Sequence, residues 1–400
     1  MTTGGFDDEI KIANMTFEYS FDTVNLFYSG SWEEREVARR DDQTRFVIYG
    51  IAGVPTSVCP ESALADRSCI DMVNAGPFGT VVPIVSYGVE NNESTSHEIR
   101  LTSTGDGPWE WILGAYYEDR DTERSGHVTT VNAEGKLDGS GVTLFARDNM
   151  GKRKQSAFFG EVSYEFVPDW TMTVGLRWSE IERTEEQTTV LNAFGPTGTL
   201  VPGDFEEDDI ISRFKVSWNV SESVFLYALA SEGYRVGGPN QPVGFNNSAP
   251  NFDADSLWNY EFGWKSNLLD GAMQLNGAMY YVDWSDIQFA TTDSTGAFDL
   301  IGNAGDAEVL GFELELQALL SEHWEISAGV GYSKAEFTGK QPVQGLLANQ
   351  TRDGDRLPGV PEWSTTLFAQ YTTALTDSVH ILGQAEHQFL PNVNTHSCRT

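Results

Sequence analysis

The sequence predicts an all-β chain that builds the antiparallel wall of a transmembrane β-barrel. Apolar and polar residues alternate with a period of two over long stretches, which puts successive side chains on opposite faces of a strand. The stretches come in pairs joined by tight turns, about 14 strands in all. The connections between pairs are long and polar, whereas ordinary connections have a median of ~4–6 residues. Short turns at one end and long loops at the other belong to barrels that cross a membrane. Such a sheet must close, because lipid offers no partner to an unpaired backbone group.

In chain order, Phe17, Tyr19 and Phe21 alternate with Glu18 and Ser20, and Val24, Leu26, Tyr28 and Trp32 return after a turn. Residues 33–92 read as a loop. Strands 95–103 and 109–118 flank Gly105-Asp106-Gly107-Pro108, and a loop at 121–153 follows. Phe158 to Phe166 and Met172 to Trp178 form the next hairpin, and 185–208 reads as an acidic loop. Phe214 to Val220 turns into 224–235 before a loop at 237–253. Trp258 to Trp264 turns into Met273 to Tyr281, with a loop at 291–302.

The clearest hairpin comes next. Leu310, Phe312, Leu314 and Leu316 alternate with Glu313, Glu315 and Gln317, and Trp324, Ile326, Ala328, Val330 and Tyr332 return. The leucine row is expected to face lipid and the glutamates the lumen. A loop at 338–361 leads to Trp363, Leu367 and Tyr371, then Val379 to Phe389. Trp109, Trp170, Trp178, Trp258, Trp284, Trp324 and Trp363 stand near strand ends, as interfacial girdles require. A soluble propeller would repeat a motif every ~40–50 residues, and none repeats here.

The 400 residues carry a net charge of -34, with 40% hydrophobic residues and 39 glycines. The acidity excludes nucleic acid as a partner. No apolar run approaches the ~18 residues of a membrane helix, and Met1 to Gly5 shows no basic or apolar signal region. Cys59 and Cys69 lie in one loop, where they form a disulfide in an oxidising compartment or stand as separate thiols. Cys398 lies near the end of the chain. No C-x-x-C, H-E-x-x-H or phosphate-loop motif is present. His97, His127, His323, His380, His387 and His396 lack metal-ligand spacing. Glu161, Glu165, Glu261, Glu313, Glu315 and Glu325 read as solvated lumen groups or as partners of Arg177, Arg213, Lys215 and Lys265. The chain is therefore expected to be neither an enzyme nor a holder of a cofactor or metal.

Four stretches resemble the TonB-dependent receptors of Gram-negative outer membranes. Asn303-Ala304-Gly305-Asp306-Ala307 with Gly311-Phe312-Glu313 is similar to a strand entry common there. Leu226-Tyr227-Ala228 with Ser231-Glu232-Gly233-Tyr234-Arg235-Val236-Gly237-Gly238 is similar to a strand and the loop after it. The hairpin around Ser96-His97-Glu98-Ile99-Arg100-Leu101 and Trp111 to Tyr117, and Leu357-Pro358-Gly359-Val360-Pro361, complete the set in the family's order. The resemblance implies part of a 22-stranded barrel, plugged by an N-terminal globular domain, in the cell outer membrane. Residues 1–400 are then expected to be its barrel portion, with the plug, the first strands and the last strands outside this stretch. The implied partners are outer-membrane lipid, TonB acting through the missing N-terminal region, and a ferric siderophore or similar nutrient chelate. Gly238-Pro239-Asn240-Gln241-Pro242 departs from the N-P-N-L of the haem receptors. Tyr234, Arg235 and Asn240 are candidate ligand contacts, an aromatic platform with a cation for an anionic chelate; the other reading is that they anchor the loop. A passive porin and a secreted carbohydrate-binding β protein are the other functional classes.

Overall fold

The chain is described by a computed structural model over residues 5–42, 84–105, 107–131, 141–192, 197–240, 251–292, 299–303, 305–338, 353–376 and 379–391. Cys59, Cys69 and Cys398 lie outside these residues. Among the described residues there is no helix. The strands are β1 (Gly5–Ser20), β2 (Val24–Asp42), β3 (Ile84–Ser103), β4 (Trp109–Thr130), β5 (Thr143–Val167), β6 (Trp170–Asn192), β7 (Gly198–Ser221) and β8 (Val224–Arg235). Then come β9 (Asp255–Leu268), β10 (Met273–Ser285), β11 (Gln288–Thr292), β12 (Asp299–Asn303), β13 (Asp306–Leu319), β14 (Trp324–Thr338), β15 (Trp363–Thr376) and β16 (Val379–Phe389).

All but β11 and β12 form one 14-stranded sheet in sequence order, and those two pair as a separate ribbon. Every neighbour is antiparallel. In such a meander the turns after β1, β3, β5, β7, β9, β13 and β15 fall at one end and the other connections at the opposite end, where all are long except 193–197 between β6 and β7. Among the described residues β1 and β16 do not pair with each other; the sheet is an open wall with both edge strands exposed.

The register sorts the side chains into two faces. One row of Cα partners runs Trp109, Tyr164, Met172, Val216, Ala228, Phe262, Met279, Phe312, Tyr332 and Trp363. The row one residue away runs Glu165, Thr171, Ser217, Tyr227, Gly263, Ala278, Glu313, Gly331 and Ser364. The first is apolar throughout; the second is polar or small, with Tyr227 donating a 2.6 Å hydrogen bond to Glu261. Leu310, Phe312, Leu314 and Leu316 share the apolar face, and Glu313, Glu315 and Gln317 the other. A membrane barrel turns the apolar face to lipid.

The row from Trp109 to Trp363 also records the tilt. Trp109 opens β4 at the tight-turn end, whereas Trp363 opens β15 at the long-connection end. A row of constant register thus crosses the apolar band from rim to rim, the stagger that tilted barrel strands require. Outward residues Trp170, Met172, Val174, Leu176 and Trp178 measure the band on β6, with a tryptophan at each rim. This matches the ~9–11 residues of a tilted membrane strand. The rims are paired aromatics: Trp170 stacks on Trp218 at 4.8 Å and Trp324 lies tilted against Tyr371 at 5.0 Å at the tight-turn end, and Tyr332 lies tilted against Trp363 at 4.8 Å at the other.

The strands exceed the alternation that announces them. β2 to β7 run 19 to 25 residues, against 11 to 15 for the sheet's strands from β8 onward. Much of 121–153 and 185–208, read as loop, is therefore strand. Beyond the lipid both faces meet water, so the period-two apolar signal vanishes while the ladder continues. The ribbon β11–β12 likewise replaces most of the predicted loop at 291–302.

Cross-strand glycines accept the aromatics of the lumen face. A Cβ on Gly311 would lie 2.4 Å from the Tyr280 ring and 2.5 Å from the Tyr332 carbonyl oxygen. The ring can turn away but the backbone oxygen cannot. Gly311→Ala is expected to cost ~1–3 kcal/mol, measured as a lower denaturant midpoint of the detergent-folded protein.

Candidate functional site

The polar face has two built regions at the long-connection end. The first ties the root of the β8–β9 connection to the β11–β12 ribbon, and it contains all three residues singled out from the sequence. Arg235 ends β8 opposite Asp255, the first residue of β9. Its Nε donates to both Asp255 carboxylate oxygens at 3.0 Å, and a second nitrogen donates to the Gln288 carbonyl at 3.0 Å. The guanidinium lies 4.9 Å from the centre of the Trp284 ring. Asp255 is only 2% exposed and also accepts the Gln288 N–H at 2.8 Å. Asn240 is buried; its amide donates to the Ile301 carbonyl at 2.6 Å and accepts the Ile301 N–H at 2.8 Å, extending the ribbon as a strand would. Tyr234 reaches across to the buried Ser179, hydroxyl to hydroxyl at 2.5 Å. Tyr234 thus meets the wall, Asn240 the ribbon, and Arg235 both.

The resemblance stretches acquire physical roles here. Asn303 holds Asp253 from both sides and the Asp286 carbonyl at 2.8 Å. Gly305, at φ 84, accepts the Ile287 N–H at 2.6 Å. A Cβ on Gly237 would lie 2.7 Å from the Phe252 oxygen and 2.9 Å from the Ala254 nitrogen. Leu357 enters a small buried cluster with Ile287, Ala307, Ala335 and Phe337. Glu207 accepts the Gly237 N–H at 3.0 Å. Burial raises its pKa, Asp209 and Asp253 push the same way, and the Gly237 bond opposes them.

The second region lies on the tall side, above the apolar band, where the sequence reading placed loops. Arg120, Arg153 and Arg183 are Cα partners on β4, β5 and β6. With Arg35, Arg124 and Asn92 they line a hollow of about 340 Å³. Glu118, 8% exposed, accepts from Tyr116 at 2.7 Å, Arg153 at 2.6 Å and Arg120 at 3.2 Å. Arg183 pairs with Glu185, and Arg124 with Glu90 at 2.8 Å. Lower on the same face Arg213 meets Glu161 at 3.2 Å, one of the lumen pairings expected from sequence.

Burial pushes the Glu90 carboxyl up, but hydrogen bonds from Asn92 and Arg124 outweigh it and the pKa is lowered. A lowered carboxylate contributes stability that is complete above the ordinary glutamate value of ~4.3 and is lost as pH falls through the folded-state value. Glu90→Gln should therefore narrow the stability difference between pH 7 and pH 3, measured by denaturant midpoints.

The sequence signal for this hollow was basic clustering in an acidic chain: Arg120 and Arg124, then Arg147, Lys152, Arg153 and Lys154, then Arg183. Only the register shows that the arginines of three strands adjoin.

The family model for the TonB dependent receptor-like β-barrel matches residues 2–391. A curated relative from Acinetobacter baumannii, named "Probable TonB-dependent siderophore receptor PiuA", is 22% identical over 330 residues, covering 73% of this chain and 43% of the relative. The pesticin receptor of Yersinia enterocolitica is 20% identical over 268 residues, 66% of this chain and 36% of its own. The chain thus spans less than half the length of these relatives. The crystal structure of the ferric yersiniabactin uptake receptor FyuA from Yersinia pestis aligns with a TM-score of 0.70 at 13% identity, over 96% of this chain and 50% of that one. The A. baumannii PiuA structure aligns with a TM-score of 0.61 at 19% identity, over 92% of this chain and 52% of that one. At these identities the structural likeness is one of fold. The match to the family across almost the whole chain, on an antiparallel wall with one apolar and one polar face, makes this protein a member of the TonB-dependent receptors, in their β-barrel.

Proposed function

We propose that the chain forms the barrel wall of an outer-membrane receptor that takes up a ferric siderophore or similar nutrient chelate with energy delivered through TonB. The family match over 2–391 carries this reading, and the relatives named for siderophores point to the cargo. The apolar band would sit in outer-membrane lipid. The long connections, and with them Cys59 and Cys69, would lie outside the cell, where a disulfide can form. TonB would act through parts of the protein outside this chain. Tyr234, Arg235 and Asn240 belong to the proposal as ligand contacts at the outer rim, held by partners in the wall and in the β11–β12 ribbon.

A Gram-negative strain that makes the full-length receptor is expected to accumulate radiolabelled iron supplied as its chelate, and to stop when tonB is deleted. Uptake that persists without TonB would favour a passive porin. No dependence of iron uptake on the receptor would sink the cargo assignment.

A further inference from the structure

We infer that the β11–β12 ribbon is a strap that makes the connections after β8, β10 and β14 one cooperative body. The ribbon stands outside the 14-stranded sheet, and its own pairing joins only Gln288–Thr292 to Asp299–Asn303. A lone two-stranded hairpin is marginally stable in water. Its neighbours must therefore hold it, and they do so from two sides by different means.

Toward the β8–β9 connection the tie is polar. The Gln288 side-chain amide donates to the carbonyls of Arg235, Val236 and Asp253 at 3.2, 2.9 and 3.1 Å. On β12 and beside it Asn303 and Asn240 repeat the device, on Asp253 and on Ile301. That connection is itself closed by Gly238 and Phe252, which exchange N–H to carbonyl bonds at 2.9 and 3.0 Å. Toward the β14–β15 connection the seat is apolar. Ile287, just before β11, is buried with Ala307, Ala335, Phe337 and Leu357. Phe289 meets Phe337 edge to face at 5.9 Å. Residues 335 and 337 hold the connection in turn. The Gly354 N–H donates to the Phe337 carbonyl at 2.9 Å, the Phe337 N–H to the Asp355 carbonyl at 2.8 Å, and the Leu357 N–H to the Ala335 carbonyl at 3.0 Å.

Neighbouring side chains of an extended chain point to opposite sides. Ile287 and Phe289 thus face one connection and Gln288 the other, so consecutive residues carry the coupling. Cutting either side leaves a bare hairpin, too weak to hold the opposite side. Segments that depend on one another in this way open as one unit. A ligand that orders one connection would then lower the cost of ordering the other two. This device does not depend on what the receptor carries.

Hydrogen exchange of the full-length receptor in detergent, read by mass spectrometry, tests the strap. Gln288→Ala cuts the polar tie and leaves Ile287 in place. It is expected to quicken exchange about tenfold in the peptides holding Gly238, Phe252 and Ile301, the net loss of about one hydrogen bond. Peptides holding Gly354 and Leu357, across the apolar seat, should quicken by the same factor. Ile287→Ala, cutting from the other side, should quicken the same peptides together. The amides of β4 and β5 should keep their parent rates in both variants. Heat-modifiable gel migration checks folding. Should Gln288→Ala not fold, Asn240→Ala loosens the same tie and carries the same expectation at Gly354 and Leu357. Faster exchange at Gly238 and Phe252 in Gln288→Ala, with Gly354 and Leu357 unchanged, would show independent connections and overturn the strap. So would an Ile287→Ala effect confined to Gly354 and Leu357, unchanged exchange in either variant, or a rise spread over the whole wall.

Discussion

Arg235→Ala is expected to destabilise the wall by ~1–3 kcal/mol, below the cost of breaking a fully buried ion pair, because the Asp255 side chain is 1% exposed but that of Arg235 is 49% exposed. Alanine leaves the Asp255 carboxylate at 2% exposure without its cation, and a buried unpaired charge is far more costly than the pair is favourable. The Gln288 N–H remains bound to Asp255 at 2.8 Å, which keeps the loss from the upper end. Trp284 also loses the guanidinium over its ring. The double variant Arg235→Ala with Asp255→Asn should be more stable than Arg235→Ala alone, because it removes the stranded charge. Denaturant midpoints in detergent would measure both. A single variant as stable as the parent would show that the pair does not hold the β8–β9 root.

Leu314→Arg is expected to cost ~2–4 kcal/mol, the penalty of a cation on the lipid face near the bilayer midplane. Leu314 pairs with Gly277 and Val330 in an apolar row. Glu313, one residue away, pairs with Ala278 and Gly331 on the opposite face, and Glu313→Arg should change stability by less than ~1 kcal/mol. Refolding into lipid vesicles, followed by the same midpoints, compares the two. Glu313→Arg failing to insert while Leu314→Arg inserts normally would mean that the faces are reversed.

What was legible in the sequence follows from the solvent each segment meets. β13 and β14 alternate cleanly because one face meets lipid and the other water, so their faces could be read residue by residue. The tryptophans at 170 and 178 bracket the band because an indole is favoured at both interfaces. Above the band, water on both sides removes the contrast, and the upper parts of β2 to β7 read as loops. The arginine hollow was hidden for a second reason. Arg120, Arg153 and Arg183 are about 30 residues apart in sequence, and only strand pairing joins them. Arg235 stood out as a cation beside an aromatic at a loop start, but its partner Asp255 lies across the loop, so its place in an ion pair could not be read locally. Asn303, Gly237 and Leu357 were recognisable only as parts of a resemblance; the structure gives them physical tasks as a backbone tie, a close approach and a buried plug.

The central claim is that this wall crosses the outer membrane with its long connections outside. Labelling introduced cysteines on intact cells tests it directly, in a full-length receptor whose native cysteines are changed to serine. Asn251 lies in the β8–β9 connection and Glu222 in the β7–β8 turn, and both are exposed. Asn251→Cys should react with a membrane-impermeant thiol reagent on whole cells, and Glu222→Cys only after lysis. Labelling of Glu222→Cys on intact cells with protection of Asn251→Cys would contradict the topology and, with it, the placement of the arginine hollow on the outer side.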